Sequence, residues 1–328
     1  MRSKIEHYAK VLGLLAASLN KYIDNCSCLE RNIPVVVMHG MGDAAENTGM
    51  VHFQQLVSEE LDTYVYLVRI GGSKEEDIKN SYFLPMMKQL EEFSQRVKGN
   101  SKLQSGFNAI GLSQGNLLVR AYIEIYNRPC VLNFLSLHGP LGGVSAIPRC
   151  DPRNDFCRDV VHLISFGVYS TLVQDHLAQS NYFRDPMAIA KYLENAQFLP
   201  DINNEKAHKF NVTYRDNFAS LRSLILVKAK QDTQVYPSES EWFGAYADGS
   251  AYKKVLKFHE TTWYRNDLFG LRELDEAGKI HFYETDGDHL VISDQTIRKL
   301  VRKHFGASSA FRSNLSSIDW VSALKARQ

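Results

Sequence analysis

The sequence predicts an α/β fold in which helices cover both faces of a mostly parallel sheet. Short apolar runs rich in β-branched residues alternate along the chain with longer segments whose apolar residues recur at helical spacing. The short runs are apolar at nearly every position, as expected of strands that are buried on both faces. Strands separated by helices favour parallel pairing with right-handed crossovers.

The individual elements follow from these patterns in chain order. Strands are predicted at residues 33–39, 63–70, 107–112, 131–137, 221–228 and 279–283. Long helices are predicted at residues 81–97, 114–126 and 294–304. Between residues 140 and 217 the alternation stops, and short helical segments and loops predict a helical cap insertion.

The predicted organisation has three parts, listed from the N-terminus. They are a signal peptide or N-terminal extension at residues 1–30, an α/β domain at 31–305 that carries the insertion at about 140–217, and a tail at 306–328.

The composition excludes several classes of function. The 328 residues carry a formal net charge of +1, so no overall field attracts nucleic acid or an anionic membrane. Hydrophobic residues make up 44% and charged residues 23% of the chain, which is ordinary for a soluble globular protein. No glycine-rich phosphate loop is present in the sequence, and no cofactor is predicted.

The N-terminus has the pattern of a secretory signal. Arg2, Lys4 and Lys10 precede the apolar residues 11–17, and small residues follow. The apolar core is too short to span a bilayer as a stable helix, so no transmembrane anchor is predicted. The alternative is an amphipathic N-terminal helix that stays attached to the protein.

The glycosylation sequons and the cysteine spacing are also typical of a protein that enters the secretory pathway. Asn25, Asn211 and Asn314 each begin an Asn-x-Ser/Thr triplet, the acceptor pattern for N-glycosylation. Cys150 and Cys157 bracket a polar loop, and this spacing suits a local disulfide in an oxidising compartment. The three other cysteines leave at least one thiol that is free or pairs between chains. No Cys-x-x-Cys motif pairs with a second one, so no metal site is predicted.

A serine at a strand–helix junction predicts the chemistry. Residues 111–115 are Gly-Leu-Ser-Gln-Gly and join the predicted strand at 107–112 to the predicted helix at 114–126. A serine on such a turn is a nucleophile elbow, in which the flanking glycines permit a turn too tight for a β-carbon. The expected fold is therefore the α/β-hydrolase fold, with Ser113 as the nucleophile of a serine hydrolase.

Chain order and position predict the partners of Ser113. In this fold the acid and then the histidine follow the serine along the chain, and each comes after a strand. Asp232 follows the strand at 221–228, and His289 lies in a polar turn after the last strand. The histidine would accept the serine proton, and the aspartate would orient the imidazole and stabilise its cation.

Other titratable residues fit these two roles less well. Asp286 and Asp288 lie so close to His289 that they are expected to shape its turn instead. The rival histidines come in the wrong order, lie in the insertion or lack a following turn; they are His39, His138, His162, His176, His259 and His281.

Backbone donors for an oxyanion are predicted at two turns. Residues 39–43, His-Gly-Met-Gly-Asp, close the first strand and resemble the His-Gly loop that stabilises a tetrahedral oxyanion. The predicted donors are the N–H groups of Met41 and of Gln114, the residue after the nucleophile. A plain glycine turn would explain the glycines, but not why the turn lies at the same sheet edge as the elbow.

From about residue 33 to about residue 305 the chain resembles the palmitoyl-protein thioesterases. Matched blocks that follow one another in order are far more specific than the elbow alone. They are residues 39–43, 111–115, 143–144 with 148–150, 198–203, 232 with 235 and 237, 240–244, 260–262, 271–275 and 287–290.

The resemblance implies a Ser113–Asp232–His289 triad under a large cap. It implies that the enzyme removes long acyl chains from the cysteines of proteins and peptides and releases a fatty acid. It also implies a soluble, glycosylated enzyme of the lysosome, with secretion as the alternative.

Three features of the sequence are compared with the pattern of this family: the Cys150 and Cys157 pair, Cys130, and Asn116. Cys150 and Cys157 match a disulfide of the family, with a shorter loop between them. The partner expected for Cys130 is missing. Asn116 stands where the family carries a second glycine after the elbow, and the change is expected to be tolerated because it lies on the helix.

Two other functions use the same features. A lipase or carboxylesterase would share the triad, because the triad does not distinguish a thioester from an oxoester. A lipid-binding protein with an inactive site is the non-enzymatic alternative, and the intact triad counts against it.

The acyl chain is expected to dominate substrate binding. Burying about ten methylenes at about 0.8 kcal/mol each outweighs the net contribution of about 1 kcal/mol from a typical hydrogen bond. The apolar residues of the insertion either line an acyl groove or form the core of the cap. These candidates are Ile164, Phe166, Val168, Leu172 and Val173.

Overall fold

The protein folds around a central sheet whose carboxyl edge carries the predicted site residues. A computed structural model describes residues 32–146 and 166–306. The predictions for the N-terminal segment, for Asn25 and Asn314, for the Cys150–Cys157 disulfide and for the C-terminal tail lie outside these residues.

The central sheet is parallel throughout. The strands are β1 (Val35–Met38), β2 (Val65–Leu67), β3 (Phe107–Leu112), β4 (Val131–Leu137), β5 (Ser223–Ala229), β6 (Ala245–Tyr246), β7 (Val255–Leu256) and β8 (Ile280–Thr285). The central strands lie in the order β2-β1-β3-β4-β5-β8, and each neighbouring pair is parallel. β6 and β7 form a separate antiparallel pair. The mostly parallel sheet predicted from the apolar runs is confirmed.

Helices connect these strands. The α-helices are α1 (Thr48–Leu61), α2 (Lys74–Phe83), α3 (Met86–Gly99), α4 (Gly115–Ile125), α5 (Thr171–Gln174), α6 (Ile189–Asn195), α7 (Leu199–Ile202), α8 (Val212–Ala219), α9 (Thr262–Arg265), α10 (Leu271–Glu276) and α11 (Asp294–Phe305). Short 3-10 helices lie at Ser101–Leu103, Ala178–Tyr182, Ala207–Lys209, Ser238–Trp242 and Phe258–Glu260. Within the two described ranges, no helix combines the length and the apolarity needed to cross a bilayer.

Each face of the sheet packs against its own helices, because alternate strand residues point to opposite sides. On one face Val36 and Leu226 join a hydrophobic core with residues of α3, α4, α8 and α10. On the other face Val37 and Val227 join a second core with residues of α1 and α11. The prediction of helices on both faces is therefore confirmed.

The helix predicted at residues 81–97 is wrong, because two helices occupy this region. Pro85 lacks an N–H group and disfavours the helical conformation for the residue before it. Leu84 accordingly takes an extended conformation, with ψ at 123°. The earlier helix, α2, begins at Lys74 after Ser73, whose side chain accepts a hydrogen bond from the N–H of Glu76. The first of these helices, α2, lies beside the predicted site, since Ser81 near its end accepts a hydrogen bond from the N–H of Gly42.

The segment between β4 and β5 is helical in its described part. It contains α5 to α8 and the 3-10 helices Ala178–Tyr182 and Ala207–Lys209. Val173 packs with Tyr82 and Leu177 in a small core beside Met41. Leu172, by contrast, is 49% exposed. The role of this segment as a cap stays a prediction.

Candidate active site

Ser113 lies on a sharp turn between β3 and α4. Its φ of 51° places it in the left-handed region, which non-glycine residues seldom adopt. The Ser113 N–H donates a hydrogen bond of 3.0 Å to the carbonyl oxygen of Leu137 at the end of β4. The neighbouring strand therefore fixes the turn, and the sharp strand-to-helix turn predicted from the sequence is observed.

The two glycines that flank the turn leave room for neighbouring backbone. A β-carbon at Gly115 would lie 2.4 Å from the carbonyl oxygens of both Met38 and His39. A β-carbon at Gly111 would lie 2.6 Å from the Cα of Asn116. Both distances are far below van der Waals contact, so only glycine fits at either position without a backbone shift.

The structure brings Ser113, Asp232 and His289 together. His289 Nε2 lies 2.8 Å from Ser113 Oγ, and His289 Nδ1 lies 2.6 Å from Asp232 Oδ2. The Asp232 side chain is fully buried, and the His289 side chain is 12% exposed. Each residue stands at the carboxyl end of a strand: β3, β5 and β8 respectively.

Hydrogen bonds hold Asp232 in its ionised form. Its Oδ1 accepts N–H bonds of 2.7 Å from Gln234 and from Val235. Burial alone would raise the pKa of Asp232, but the bond to His289, the charge of that residue and the two N–H groups lower it to about 2. The carboxylate therefore keeps its charge at any pH at which the imidazole works.

Asp288 joins the loop that carries Asp232 to the loop that carries His289. Its Oδ1 accepts hydrogen bonds from the N–H groups of Thr233, at 2.8 Å, and of His289, at 2.7 Å. Its Oδ2 accepts a bond of 2.8 Å from the Thr233 hydroxyl group. Asp286 points outward and binds Lys230. Neither residue takes the position of Asp232, and Asp288 shapes the turn as the sequence predicts.

His138 supports the turn that carries His289, a role that the sequence did not reveal. Its Nδ1 accepts a hydrogen bond of 2.8 Å from the N–H of Leu290. Its Nε2 therefore carries the proton and donates to Thr285 Oγ1, also at 2.8 Å. Burial, together with the charge of His289, lowers the pKa of His138 to about 4. His138 is thus a neutral structural residue.

A potential metal-ligand cluster coincides with this arrangement. Ligand atoms of His138, Asp232 and His289 lie within 4.8 Å of one another. The ring nitrogens of both histidines already have hydrogen-bond partners. An ion could bind only by breaking these bonds, so the geometry fits proton transfer better than metal ligation.

The predicted oxyanion donors lie beside Ser113. A β-carbon at Gly40 would lie 2.9 Å from the Ser113 Cβ, so the loop approaches the nucleophile as closely as a glycine allows. Among the described residues, no acceptor is found for the N–H group of Met41 or of Gln114. Gly40, Met41, Ser113 and His289 line a cavity of about 310 Å³. Both N–H groups are thus available to an oxyanion.

A buried network joins the two turns that carry these donors. Ser81 Oγ on α2 accepts a hydrogen bond of 2.8 Å from the N–H of Gly42. The Ser81 carbonyl oxygen accepts bonds from the side-chain amides of Gln114, at 2.8 Å, and Gln179, at 3.0 Å. Gln114 Oε1 in turn accepts bonds from Gln179, at 2.8 Å, and from the Tyr182 hydroxyl, at 2.9 Å.

Sequence reasoning missed the residues of this network. The sequence pattern predicts only that Ser81 begins a helix, and Gln179 and Tyr182 lie in the insertion without a recognisable motif. A polar side chain does not by itself indicate that it belongs to a buried hydrogen-bond network, because its partners are distant along the chain.

Asn211 is the one sequon asparagine within the described residues. It is partly exposed and caps α8, with its side-chain oxygen accepting a hydrogen bond of 3.0 Å from the N–H of Thr213. Its glycosylation stays a prediction. Cys130 is buried and disulfide-bonded, and the other four cysteines lie outside the described residues.

Comparison with known proteins agrees with this geometry. Residues 34–289 match the family model described as palmitoyl protein thioesterase. Palmitoyl-protein thioesterase 1 of Caenorhabditis elegans is 36% identical over 278 residues, which cover 84% of this chain and 92% of that protein. Palmitoyl-protein thioesterase 3 of Dictyostelium discoideum is 39% identical over 258 residues, or 78% of this chain and 84% of that protein.

A more distant relative carries a location in its name. The lysosomal thioesterase PPT2-B of Xenopus laevis is 26% identical over 261 residues, which cover 77% of this chain and 85% of that protein. The family match extends over most of the chain, and the first two relatives are well above 30% identical over almost their whole length. The chain therefore belongs to the palmitoyl protein thioesterase family.

Proposed function

We propose that the protein is a serine thioesterase that hydrolyses long-chain acyl thioesters, such as those of palmitate, on cysteine residues of proteins and peptides. The observation that carries the chemistry is the hydrogen-bonded series Ser113 Oγ, His289 and Asp232, with distances of 2.8 Å and 2.6 Å. Membership of the family supports the substrate class, because the relatives are named for palmitoyl-protein thioesterase activity.

The mechanism uses an acyl-enzyme. His289 accepts the proton of Ser113 as the hydroxyl oxygen attacks the thioester carbonyl, and Asp232 stabilises the imidazolium that forms. The N–H groups of Met41 and Gln114 donate to the oxyanion. The cysteine thiol leaves, and water activated by His289 then releases the fatty acid. No step of this mechanism uses a cofactor.

The leaving group explains why the triad alone does not select the substrate. A thiol has a pKa near 8.5, so a departing thiolate needs less protonation by His289 than a departing alkoxide. Selection between substrates therefore depends on how the acyl chain binds. Pro140, Val144, Val235 and Leu290 provide apolar surface in the cavity around Ser113. We infer that the first methylenes of the acyl chain lie against these residues.

We further propose that the enzyme acts in the lysosome after passing through the secretory pathway. The basic and apolar pattern of the first 30 residues supports entry into this pathway. The name of the Xenopus laevis relative supports the destination. Expression of the full chain followed by cell fractionation tests this proposal, and an exclusively cytosolic protein would contradict it.

The activity is tested with two substrates of equal acyl chain. An S-palmitoylated peptide and its O-palmitoyl serine analogue are incubated with the purified chain and with its Ser113→Ala variant. We expect rapid release of palmitate from the thioester alone, and its loss in the variant. Rapid hydrolysis of the oxoester would indicate a lipase or carboxylesterase. No release from either substrate by the folded protein would contradict the proposal.

A further inference from the structure

A second carboxyl group lies close to the aspartate of the triad. Glu241 is on the 3-10 helix Ser238–Trp242, and its exposed fraction is 0%. Its Oε2 accepts a hydrogen bond of 2.9 Å from the N–H of Ala229 at the end of β5. The carboxyl group also lies within hydrogen-bonding reach of the Asp232 side chain. Two carboxyl groups therefore share one buried site.

This contact is favourable only if a proton lies between the two groups. Ionised carboxylates only accept hydrogen bonds, and two of them side by side repel each other. Among the described residues, Oε1 of Glu241 has no hydrogen-bond donor. An ionised Glu241 would therefore be a buried charge held by a single N–H group. A protonated Glu241 can instead donate its O–H to Asp232, and both groups are then satisfied.

The proton belongs on Glu241, because Asp232 has more donors. Asp232 accepts from the N–H groups of Gln234 and Val235 and from the imidazole of His289. Among the described residues, Glu241 accepts from a single N–H group. Each donor stabilises the charged form, so the negative charge stays on Asp232. Burial, together with the charge of Asp232, accordingly raises the pKa of Glu241 well above its usual range.

The other titratable groups near this pair do not reverse the assignment. The ammonium of Lys228 on β5 favours an ionised Glu241, but its effect is smaller than those of burial and of Asp232. His289 faces Asp232 from the turn after β8. His138, which follows β4, lies near Asp232 and is neutral.

We propose that Glu241 is a positioning residue that donates a hydrogen bond from its carboxylic O–H to Asp232 and thereby sets how Asp232 acts on His289. This inference rests on the proposed function of the triad. The bond helps to fix the orientation of the Asp232 carboxylate. It also spreads the negative charge of Asp232, so the imidazolium is stabilised less and the neutral base persists to lower pH.

Two variants of Glu241 separate the O–H donor from the negative charge. Glu241→Gln is neutral, keeps an N–H donor for Asp232 and keeps a carbonyl acceptor for the N–H of Ala229. Glu241→Met has a similar length but offers no donor. For the full chain acting on an S-palmitoylated peptide, kcat and KM are measured across the pH range in which histidine titrates.

The proposal predicts opposite behaviour of the two variants. Glu241→Gln is expected to keep most of kcat and the acid limb of the pH profile. Glu241→Met is expected to lower kcat by about tenfold or more at unchanged KM. It is also expected to move the acid limb to higher pH. Without the donor from residue 241, the full negative charge of Asp232 acts on His289 and stabilises its protonated form.

Other results would overturn the proposal. If Glu241 is ionised, Glu241→Gln removes a negative charge beside Asp232, and the acid limb moves to lower pH. A loss of kcat in Glu241→Gln as large as that in Glu241→Met would also contradict the donor role.

An infrared difference spectrum between the wild type and Glu241→Gln at neutral pH tests the protonation directly. We expect the carbonyl stretch of a protonated carboxylic acid in the wild type, and its absence would overturn the proposal. This measurement requires neither catalysis nor a folded Glu241→Met variant. If the wild type hydrolyses no thioester, the proposed function fails, but the infrared band still decides whether Glu241 carries the proton.

Discussion

The imidazole of His39 lies between the carbonyl oxygen of Gly40 and the carboxylate of Asp77. Nδ1 is 2.9 Å from Gly40 O, and Nε2 is 3.0 Å from Asp77 Oδ1. Both neighbours are acceptors. The imidazole of His39 therefore interacts favourably with both of them only when each ring nitrogen carries a proton. Asp77, which is fully buried, also accepts from the N–H groups of Ala45 and Ile70. This pair therefore ties α2 to the loop that carries the proposed oxyanion donor.

The charge of His39 makes stability depend on pH. Burial alone would lower the pKa of His39, but the nearby carboxylate of Asp77 raises it above the ordinary value. The stability that a histidine with a raised folded-state pKa contributes is complete below its unfolded pKa of about 6.5 and is lost as the pH rises through the folded pKa. We expect His39→Gln to reduce the free energy of unfolding more at about pH 5 than at about pH 9, as measured by urea denaturation.

A histidine on the surface provides the control for this measurement. The side chains of His52 and its partner Asp294 are both 59% exposed, so His52→Gln is expected to have little effect at either pH. An equal loss in His39→Gln at acidic and at alkaline pH would show that His39 is uncharged in the folded protein.

The tight turn at Ser113 predicts that even a small side chain at Gly115 reduces both stability and kcat. Gly115→Ala places a methyl group 2.4 Å from two backbone carbonyl oxygens, and backbone cannot move aside as a flexible side chain can. We expect a loss of about 2 kcal/mol or more in the free energy of unfolding, with a lower kcat because Ser113 shifts. Gly99→Ala is the matched control, because a β-carbon there has nothing within 4 Å. Equal stability and equal kcat in the two variants would contradict this account of the elbow.

The sequence was sufficient for the features that depend on local pattern. The apolar runs of β3 and β4 have the bounds predicted for them, since a strand buried on both faces is apolar at nearly every position. The relative positions of Ser113, Asp232 and His289 followed from topology, because the carboxyl ends of parallel strands meet at one edge of the sheet. The break at Pro85 was also a local signal, and the helix prediction overlooked it.

The supporting residues could not be predicted in the same way. Chain order argues against His138 as the base, yet its ring accepts a hydrogen bond from the N–H of Leu290, 152 positions away in the sequence. Glu241 belongs to a residue type that is usually exposed, and nothing local indicates that it meets Asp232. The contributions of these residues depend on tertiary partners, and their side-chain chemistry alone is compatible with many sites.

Asn116 has a role that its sequence position did not suggest. Its place on the helix predicts a tolerated replacement, but its side-chain amide donates hydrogen bonds of 3.0 Å to the carbonyl oxygens of both Ser113 and Leu137. It is fully buried. We expect Asn116→Ala to lower the free energy of unfolding by about 2 kcal/mol, because two buried carbonyl groups lose a donor. We also expect a lower kcat at unchanged KM, because the turn that presents Ser113 loses a support.

A buried asparagine elsewhere in the sheet provides the comparison. Asn133 donates a bond of 2.8 Å to Asn108, away from the nucleophile. Asn133→Ala is expected to lose stability while it keeps kcat. Measurements of urea denaturation and of thioester hydrolysis on both variants would contradict the role of Asn116 if kcat fell to the same extent in each.

The Tyr182 hydroxyl group tests whether the buried network orients an oxyanion donor. Its bond of 2.9 Å to Gln114 Oε1 holds the side chain of the residue whose N–H is proposed to bind the oxyanion. Tyr182→Phe removes this bond with little change in shape. We expect kcat for thioester hydrolysis to fall by about threefold to tenfold, because the donor is less well placed in the transition state.

Tyr122→Phe separates this effect from a general loss of stability. The Tyr122 hydroxyl group donates a bond of 2.7 Å to the carbonyl oxygen of Pro129, remote from the nucleophile. Each variant is expected to lose about 1 kcal/mol of unfolding free energy, as is typical when one buried hydrogen bond is removed. Only Tyr182→Phe should lower kcat. If both variants kept the kcat of the wild type, the network would stabilise the fold without orienting Gln114, and the transition state would depend on the backbone of the elbow alone.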